Sequence, residues 1–367
     1  MSLKIAFLSA GLGNISRGFE ISASEWYRGM KSVPGLSVRL FSGGRYPHAT
    51  RVLNCSRNSL ITKILRSFKL VKDGCRLEQL SFGLGFILIL LTYRPNIIWL
   101  QEGSLGDVLL FLRKTFKFKY KIIFCDGAPV GHHFANKFDY IIFLHKYAMD
   151  DAINDGVDPE KCKVISHLSL LPTATSNKQD ARKKFNISKD SFVIICVAAW
   201  NSHHKRIDYL LEEIAKLDLQ KITLLLCGQT EPGTQILKDL ADQLEINVQW
   251  HTLNQSDLAI AYTAADLFVL PSLSEGLPAV LVEAGAHRLP IICHPHSGGK
   301  YTLGEDYLGL TDLSVPGNLA KKISFFQHSG LVEKQGLLTE NIIIQKFNRE
   351  KLIDSLTASI LHISDEN

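Results

Sequence analysis

Short apolar runs alternate with stretches of helical period along the whole chain. In the first half, runs near 3–9, 36–41, 96–100, 120–125, 139–144 and 162–166 predict strands, because near-continuous Val, Ile, Leu and Phe suit a sheet covered on both faces. Between them, a 3.6-residue period predicts helices near 16–31, 59–72, 77–93, 105–117 and 146–154. The polar stretch 172–180 reads as a linker. The rhythm then restarts, with strands at 192–198, 222–227, 248–250, 267–270 and 290–293. Helices are expected near 205–217, 233–245, 256–264 and 278–288, with more helix to the end. Alternation of this kind predicts parallel sheets. The expected fold class is α/β, two Rossmann-like domains facing a cleft, with ligands at the carboxyl ends of the strands. The expected boundaries are 1–170, 171–345 and a final helix, 346–367, packing back on the first domain.

A length of 367 residues agrees with two domains. With 46% hydrophobic and 21% charged residues, the chain is neither disordered nor fibrous. Seven scattered cysteines without a CxxC pair offer neither a disulfide framework nor a zinc knuckle, and suit a reducing compartment. The apolar run Ile5–Leu8 is too short for a signal peptide. The longest uncharged stretch, Gln79 to Tyr93, has 15 residues, short of the ~18–20 that span a bilayer, and reads as a buried or interfacial helix.

Charge changes the picture. Residues 1–170 carry 23 Lys and Arg against 13 Asp and Glu, whereas the remainder carries 18 against 23. A basic half fused to an acidic one points to an anionic contact for the first half. Within it, Arg57, Lys63, Arg66, Lys69, Lys72 and Arg76 interleave with Leu60, Ile61, Ile64, Leu65, Phe68 and Leu70. The stretch 57–76 therefore reads either as a solvated helix face beside a core stripe or as a basic amphipathic helix on an anionic membrane surface. A second basic cluster runs from Arg113 to Lys121. No nucleic-acid motif accompanies this charge, so nucleic acid is not expected as a partner.

Two places carry candidate chemistry. The first strand ends in Gly11-Leu-Gly13, before a helix, where glycines let the backbone approach a ligand and free helix N–H groups attract an anion. The second strand ends at Phe41-Ser-Gly-Gly44 with no acid to hold a ribose, so NAD is not expected. The stronger signal is Pro271-Ser-Leu-Ser-Glu275-Gly-Leu-Pro278-Ala-Val-Leu-Val-Glu283-Ala-Gly285. Pro278 suits a first helical position. Helical side chains lean toward the N-terminus, so Glu275 and Glu283 can address one pocket. A carboxylate matches a ribose diol, and the N–H groups of Gly276, Leu277, Ala279 and Val280 lie where an anion or sugar hydroxyls would dock.

The segment from Tyr262 to Gly299 resembles the donor-binding region of retaining GT-B glycosyltransferases of family 4. Ala265 to Ser272 looks like the strand leading into their E-x7-E motif, Glu275 and Glu283 match its glutamates, and Ser297-Gly298-Gly299 matches the glycine turn that follows. The resemblance implies that Glu283 holds the nucleotide ribose and Glu275 lies by the transferred sugar. It aligns Lys205 with a lysine on the donor diphosphate, whereas Trp200 stands where the family has an arginine. Losing that bidentate donor leaves Arg206, His203 or His204 as substitutes. Gly228 and the segment 250–253 resemble the stretches that cradle the nucleobase. In the first half Asp126 ends a strand at the expected cleft edge, preceded by Cys125 where many relatives have histidine. Asp126 and His132 join Glu275 as candidates at the reacting centre, with His133 beside them.

The resemblance implies transfer of a hexose-type sugar, with retention, from a nucleotide-diphosphate donor, UDP being the expected carrier. No cofactor and no metal are expected, since no DxD motif or His/Asp cluster is present. The acceptor is a glycolipid, a polysaccharide or a small molecule. The basic stretch favours a lipid-linked one, with the enzyme cytoplasmic and peripheral on the inner face of the membrane. The competing readings are a non-catalytic GT-B nucleotide-binding subunit or sensor, and a nucleotide-sugar epimerase.

Overall fold

The computed structural model describes residues 2–15, 18–69, 71, 73–127, 131–168 and 176–365, with only the backbone of His132 and His133. The chain divides into two units, Met1–Ser169 with Arg349–Asn367, and Leu170–Asn348.

The first unit runs β1 (Leu3–Ser9), α1 (Gly18–Met30), β2 (Leu36–Ser42), β3 (Ala49–Arg51), α2 (Leu60–Ser67), α3 (Gly74–Gly85), α4 (Ile87–Thr92) and β4 (Ile97–Leu100). It continues with α5 (Gly103–Phe116), β5 (Lys121–Asp126), α6 (His132–Ala135), β6 (Tyr140–Phe143), α7 (Lys146–Asn154) and β7 (Cys162–Val164). The strands form one parallel sheet in the order β3-β2-β1-β4-β5-β6-β7. Ala6, Leu8, Ile98, Leu100, Ile122 and Phe124 pack one sheet face against Phe82 and Phe86 of α3 and its cap, and against Leu105 and Leu109 of α5. On the other face Phe7 meets Trp99 at 5.4 Å between ring centres.

The second unit holds α8 (Lys178–Lys184), β8 (Phe192–Val197), α9 (Ile207–Ile214), β9 (Ile222–Cys227), α10 (Thr234–Gln243), β10 (Val248–His251), α11 (Gln255–Ala264) and β11 (Leu267–Leu270). After these come α12 (Ala279–Ala286), β12 (Ile291–Cys293), α13 (Ser297–Leu303), α14 (Asn318–Ser329) and α15 (Val332–Lys346). Its parallel sheet has the order β10-β9-β8-β11-β12. Both units are thus Rossmann-like α/β domains. The last helix, α16 (Arg349–Asp365), belongs to the first unit: Ile353 lies against Gly29 of α1, and Lys121 of β5 donates to the Ile363 carbonyl at 2.9 Å.

The sequence pattern departs from the structure in several places; helices α6, α8 and α13 were not expected, and α8 begins at Lys178, inside the expected linker 172–180. The edge strand β3 was not expected, being three residues long and mostly exposed. The expected helix 59–72 stops at Ser67, because Lys69 takes a left-handed φ of 56° and Asp73 caps a new helix. That helix starts before Gln79, so the 19 residues Gly74–Thr92, with mean hydropathy 1.5, are long and apolar enough to cross a membrane. Glu78, Phe82, Phe86 and Leu90 nevertheless hold one side of it in the core. Of the expected linker, residues 172–175 lie outside the described residues.

The two units share a device at the carboxyl edge of the sheet. A Cβ on Gly43, just after β2, would stand 2.0 Å from the Ala10 carbonyl oxygen that follows β1; one on Gly228, just after β9, would stand 1.8 Å from the Ala198 oxygen that follows β8. In each unit, the loop after the second strand crosses close over the first because the residue there has no side chain. Gly228→Ala should cost about 1–3 kcal/mol through overpacking, read as a lower unfolding midpoint in urea. An unchanged midpoint would mean that the loop gives way freely.

Candidate functional site

In each sheet the winding reverses once, between β1 and β4 and between β8 and β11. Loops diverge there and leave a crevice outside the carboxyl ends. The candidate residues gather at these two points.

In the second unit, the loop from β8 to α9 is organised by Asn201, which is buried and was not singled out from the sequence. Its Oδ1 accepts from the backbone N–H of Lys205 at 2.8 Å and of His204 at 3.1 Å, while its Nδ2 donates to Glu231 at 2.9 Å. So held, Lys205 pairs through Nζ with Oε1 of Glu275, on the loop after β11. His204 joins from one side, its Nε2 at 3.7 Å from the same oxygen and 3.2 Å from the Ser274 carbonyl. A cation and a carboxylate from the two central strands thus meet at the switch point.

Arg206 does not share this role. Its φ is left-handed at 51°, its Nη1 donates to the carbonyls of Leu313 at 2.8 Å and Pro271 at 3.2 Å, and its guanidinium lies 4.0 Å over the Tyr209 ring. It ties the loop to the end of β11. Trp200 is a core residue, 3% exposed and edge-on to Trp250 at 5.1 Å, with its Nε1 buried and unpartnered. His203 is exposed. Gly228 is a close-packing residue whose carbonyl accepts from Thr252 Oγ1 at 2.7 Å.

Glu283 sits in the second turn of α12. The Tyr262 hydroxyl donates to its Oε2 at 2.8 Å. Burial raises the pKa of this carboxyl, and the Tyr262 hydrogen bond pulls it back down. Pro278 occupies the cap of α12 rather than its first turn, which makes Ala279 and Val280 the first helical residues, with N–H groups that have no intrahelical acceptor. Gly276 is exposed and Leu277 buried. A Cβ on Gly298 would stand 1.9 Å from the Gly276 oxygen, so the Ser297-Gly298-Gly299 turn lets α13 close against this loop.

In the first unit, Gly11 and Gly13 are set by packing rather than by an open anion site. A Cβ on Gly11 would stand 2.8 Å from Glu20 Cγ; one on Gly13, whose φ is +84°, would stand 2.7 Å from the Gly44 carbonyl carbon. Around them are three buried carboxylates, Glu20, Glu78 and Glu102, and one guanidinium, Arg57. Among the described residues, the carboxylates around this loop outnumber the cations. Arg57 is therefore not part of a surface helix: its Nε donates to Glu78 Oε2 at 2.6 Å and its Nη1 stands 3.5 Å from Glu20.

Glu102, two residues after β4 and at the cap of α5, is the residue at this switch point that the sequence did not reveal. Its Oε1 accepts from Ser9 Oγ at 3.0 Å and from the Ala10 N–H at 2.8 Å, bridging the ends of β4 and β1. Its Oε2 is buried with no partner. Burial, with Glu20 adding to it, pushes its pKa up to about 7. Asp126 ends β5 half-buried, and the buried Cys125 beside it has a thiol pushed up to about 12 by burial, hence unreactive. The side chains of His132 and His133 lie outside the described residues. Among the described residues, no group of three or more His, Cys, Asp and Glu side chains is placed to hold a metal.

The Glu102 carboxyl titrates near its ordinary 4.5 when unfolded and near 7 when folded. The folded chain therefore holds the extra proton between these values. The stabilisation is complete below 4.5 and is lost as pH rises toward 7, by about 3 kcal/mol. Glu102→Gln keeps an acceptor for Ser9 and Ala10 but does not titrate. Urea unfolding across pH 4.5 to 8 should show the variant gaining on the wild type as pH rises. A constant difference would refute the raised pKa.

Residues 177–341 match the family model of Glycosyl transferases group 1. Over 185 residues, 50% of this chain, the sequence is 43% identical to the putative teichuronic acid biosynthesis glycosyltransferase TuaC of Bacillus subtilis (strain 168). That stretch spans 45% of the relative's length. Among solved structures, sucrose-phosphate synthase from Thermosynechococcus elongatus superposes with a TM-score of 0.81 at 16% identity over 100% of both chains. Alr3699/HepE of Anabaena, in complex with UDP and glucose, gives 0.77 at 16% identity over 98% of this chain and 100% of its own. At such identities the likeness establishes the fold, which is that of GT-B proteins. With Glu275, Glu283 and Lys205 inside it, the matched stretch 177–341 is similar to a glycosyl transferases group 1 domain.

Proposed function

We propose that this chain is a retaining glycosyltransferase that moves a hexose-type sugar from a nucleotide-diphosphate donor to an acceptor in cell-envelope polysaccharide or glycolipid synthesis. The observation that carries the reading is the Lys205–Glu275 pair at the switch point of the second sheet, with Glu283 one helical segment on. In this reading Lys205 supplies charge to the donor diphosphate, and the first N–H groups of α12 add to it. Glu275 accepts from hydroxyls of the transferred sugar. Glu283, its Oε2 fixed by Tyr262, offers Oε1 to the ribose diol. UDP as carrier is supported by the UDP complex of the Anabaena neighbour, and the envelope acceptor by the Bacillus relative.

The acceptor oxygen would attack from the face that the diphosphate leaves, and the leaving phosphate oxygen would take its proton. Glu275 then positions the sugar and is not a nucleophile. Acceptor recognition is assigned to the first unit, where Glu102 and Asp126 lie at the carboxyl ends of the strands. Seven cysteines without a disulfide support a cytoplasmic setting, and the basic first half supports a lipid-linked acceptor at the inner face of the membrane.

A second reading is favoured by one observation. Trp200 is in the core and Arg206 is spent on backbone carbonyls, so neither replaces the missing arginine. A nucleotide-binding subunit without turnover would tolerate that loss.

Four measurements decide between these readings. UDP or a UDP-hexose should raise the melting temperature of the wild type, and Glu283→Ala should abolish the rise. Lys205→Ala should weaken donor binding roughly tenfold, the worth of one charged hydrogen bond. Glu275→Gln should lose kcat at unchanged donor affinity, and EDTA should leave turnover intact. Nucleotide binding without sugar transfer to any envelope acceptor would establish the second reading, and no nucleotide shift would reject both.

A further inference from the structure

The outer side of the first unit has an apolar face that the glycosyl-transfer reading leaves unused. The helical run α3–α4 has two unlike sides. Phe82, Phe86 and Leu90, four residues apart, point into the core, whereas Leu84, Leu88 and Leu91 stand on the opposite side, Leu88 being 69% exposed. That outer side bears no charge after Arg76. Beside it α2 carries Leu60, Ile61 and Ile64, with Phe68 at its cap, within about one third of a turn; Leu60 and Phe68 are each 72% exposed. The two are neighbours, since Thr62 of α2 lies against Gly74 at the start of α3.

The charge around this face is of one sign. Between residues 51 and 119 the described exposed residues include nine Lys and Arg but two acids, Asp73 and Asp107. Lys63 and Arg66 on α2 and Lys69 after it flank one side; Lys114 stands in the last turn of α5, with Lys117 and Lys119 after it. The acids that would offset them, Glu78 and Glu102, are buried. Exposed Leu and Phe with cations on the same and adjoining segments fit a surface with an apolar interior and anionic head groups.

We propose that this face, α2 with the outer side of α3–α4, docks on an anionic lipid bilayer, its leucines and Phe68 entering the interface and its lysines and arginines meeting the head groups. The proposal deepens, and rests on, the lipid-linked acceptor of the preceding section. It also moves the contact: the sequence placed it on 57–76, whereas the half-buried Arg57 is engaged in ion pairs with Glu78 and Glu20 and the exposed leucines extend to Leu91.

The test is co-sedimentation of the full chain with vesicles of phosphatidylcholine alone or mixed with phosphatidylglycerol, at low and high salt. Binding is expected to the mixed vesicles and to weaken with salt. Leu84→Ser/Leu88→Ser/Leu91→Ser and Lys63→Glu/Arg66→Glu/Lys69→Glu should each lower it roughly tenfold or more. Circular dichroism and the UDP melting shift report on folding and on the donor site independently, so vesicle binding lost with that shift intact touches only this face. The proposal is overturned by no binding to anionic vesicles, by equal binding of the wild type to both vesicle types, or by undiminished binding of the charge-reversed variant to the mixed vesicles. A dimer in light scattering that the leucine variant dissociates would also overturn it, showing that a second copy covers the face.

Discussion

A wholly parallel sheet has one weak point in its covering, and both units of this chain place paired polar side chains there. Parallel strands need crossovers, the crossovers carry helices, and the helices seal both faces of the sheet. Only where the winding reverses do neighbouring loops leave in opposite directions. At that point the first unit has Ser9 and Ala10 facing Glu102, and the second has the Asn201-ordered loop facing Glu275. Gly43 and Gly228 keep the adjoining loops low enough for this to happen.

The same geometry is filled with opposite electrostatics. The second unit sets a lysine against a carboxylate near the surface, an arrangement that can take a phosphate and a sugar hydroxyl together. The first unit buries three carboxylates around one arginine, and the carboxyl that bridges the central strands has a pKa near neutrality. A group of that kind accepts or donates a hydrogen bond according to its protonation, which suits contact with a neutral hydroxyl better than with an anion. The exchange of an arginine for Trp200 belongs to the same contrast. The tryptophan adds packing against Trp250 and gives up a bidentate phosphate donor.

How much of this was legible in the sequence follows from what each residue does. The central strands were plain because burial on both faces demands unbroken apolar runs, as in Ile222–Cys227. Edge strand β3 was not, because half-exposed Ala-Thr-Arg carries no such demand. Glu283 was visible because a second-turn glutamate among apolar neighbours is rarely buried without a partner, here the Tyr262 hydroxyl, and Glu275 because it stands eight residues earlier on the loop that enters the same helix. Asn201 was missed because its work is done through backbone N–H groups, which leave no spacing pattern. Glu102 was missed because its partners lie 92 and 93 residues earlier and meet it only through sheet order. Arg57 misled for the same reason: among lysines it looks like surface charge, but its partners Glu20 and Glu78 come from two other helices.

Removing Arg57 from the surface sharpens the meaning of the basic half. Its excess of positive charge is what remains after internal pairs such as Arg57 with Glu78 and Arg113 with Asp139 are set aside. A large part of what remains lies between residues 51 and 119, where nine described exposed cations stand against two exposed acids. An uncharged leucine face of this size would by itself promote self-association. Cations of one sign around it oppose approach of a second identical face while attracting an anionic one. The same residues thus act against a like partner and for an unlike one, and neither the apolar positions nor the charges alone would give that selectivity.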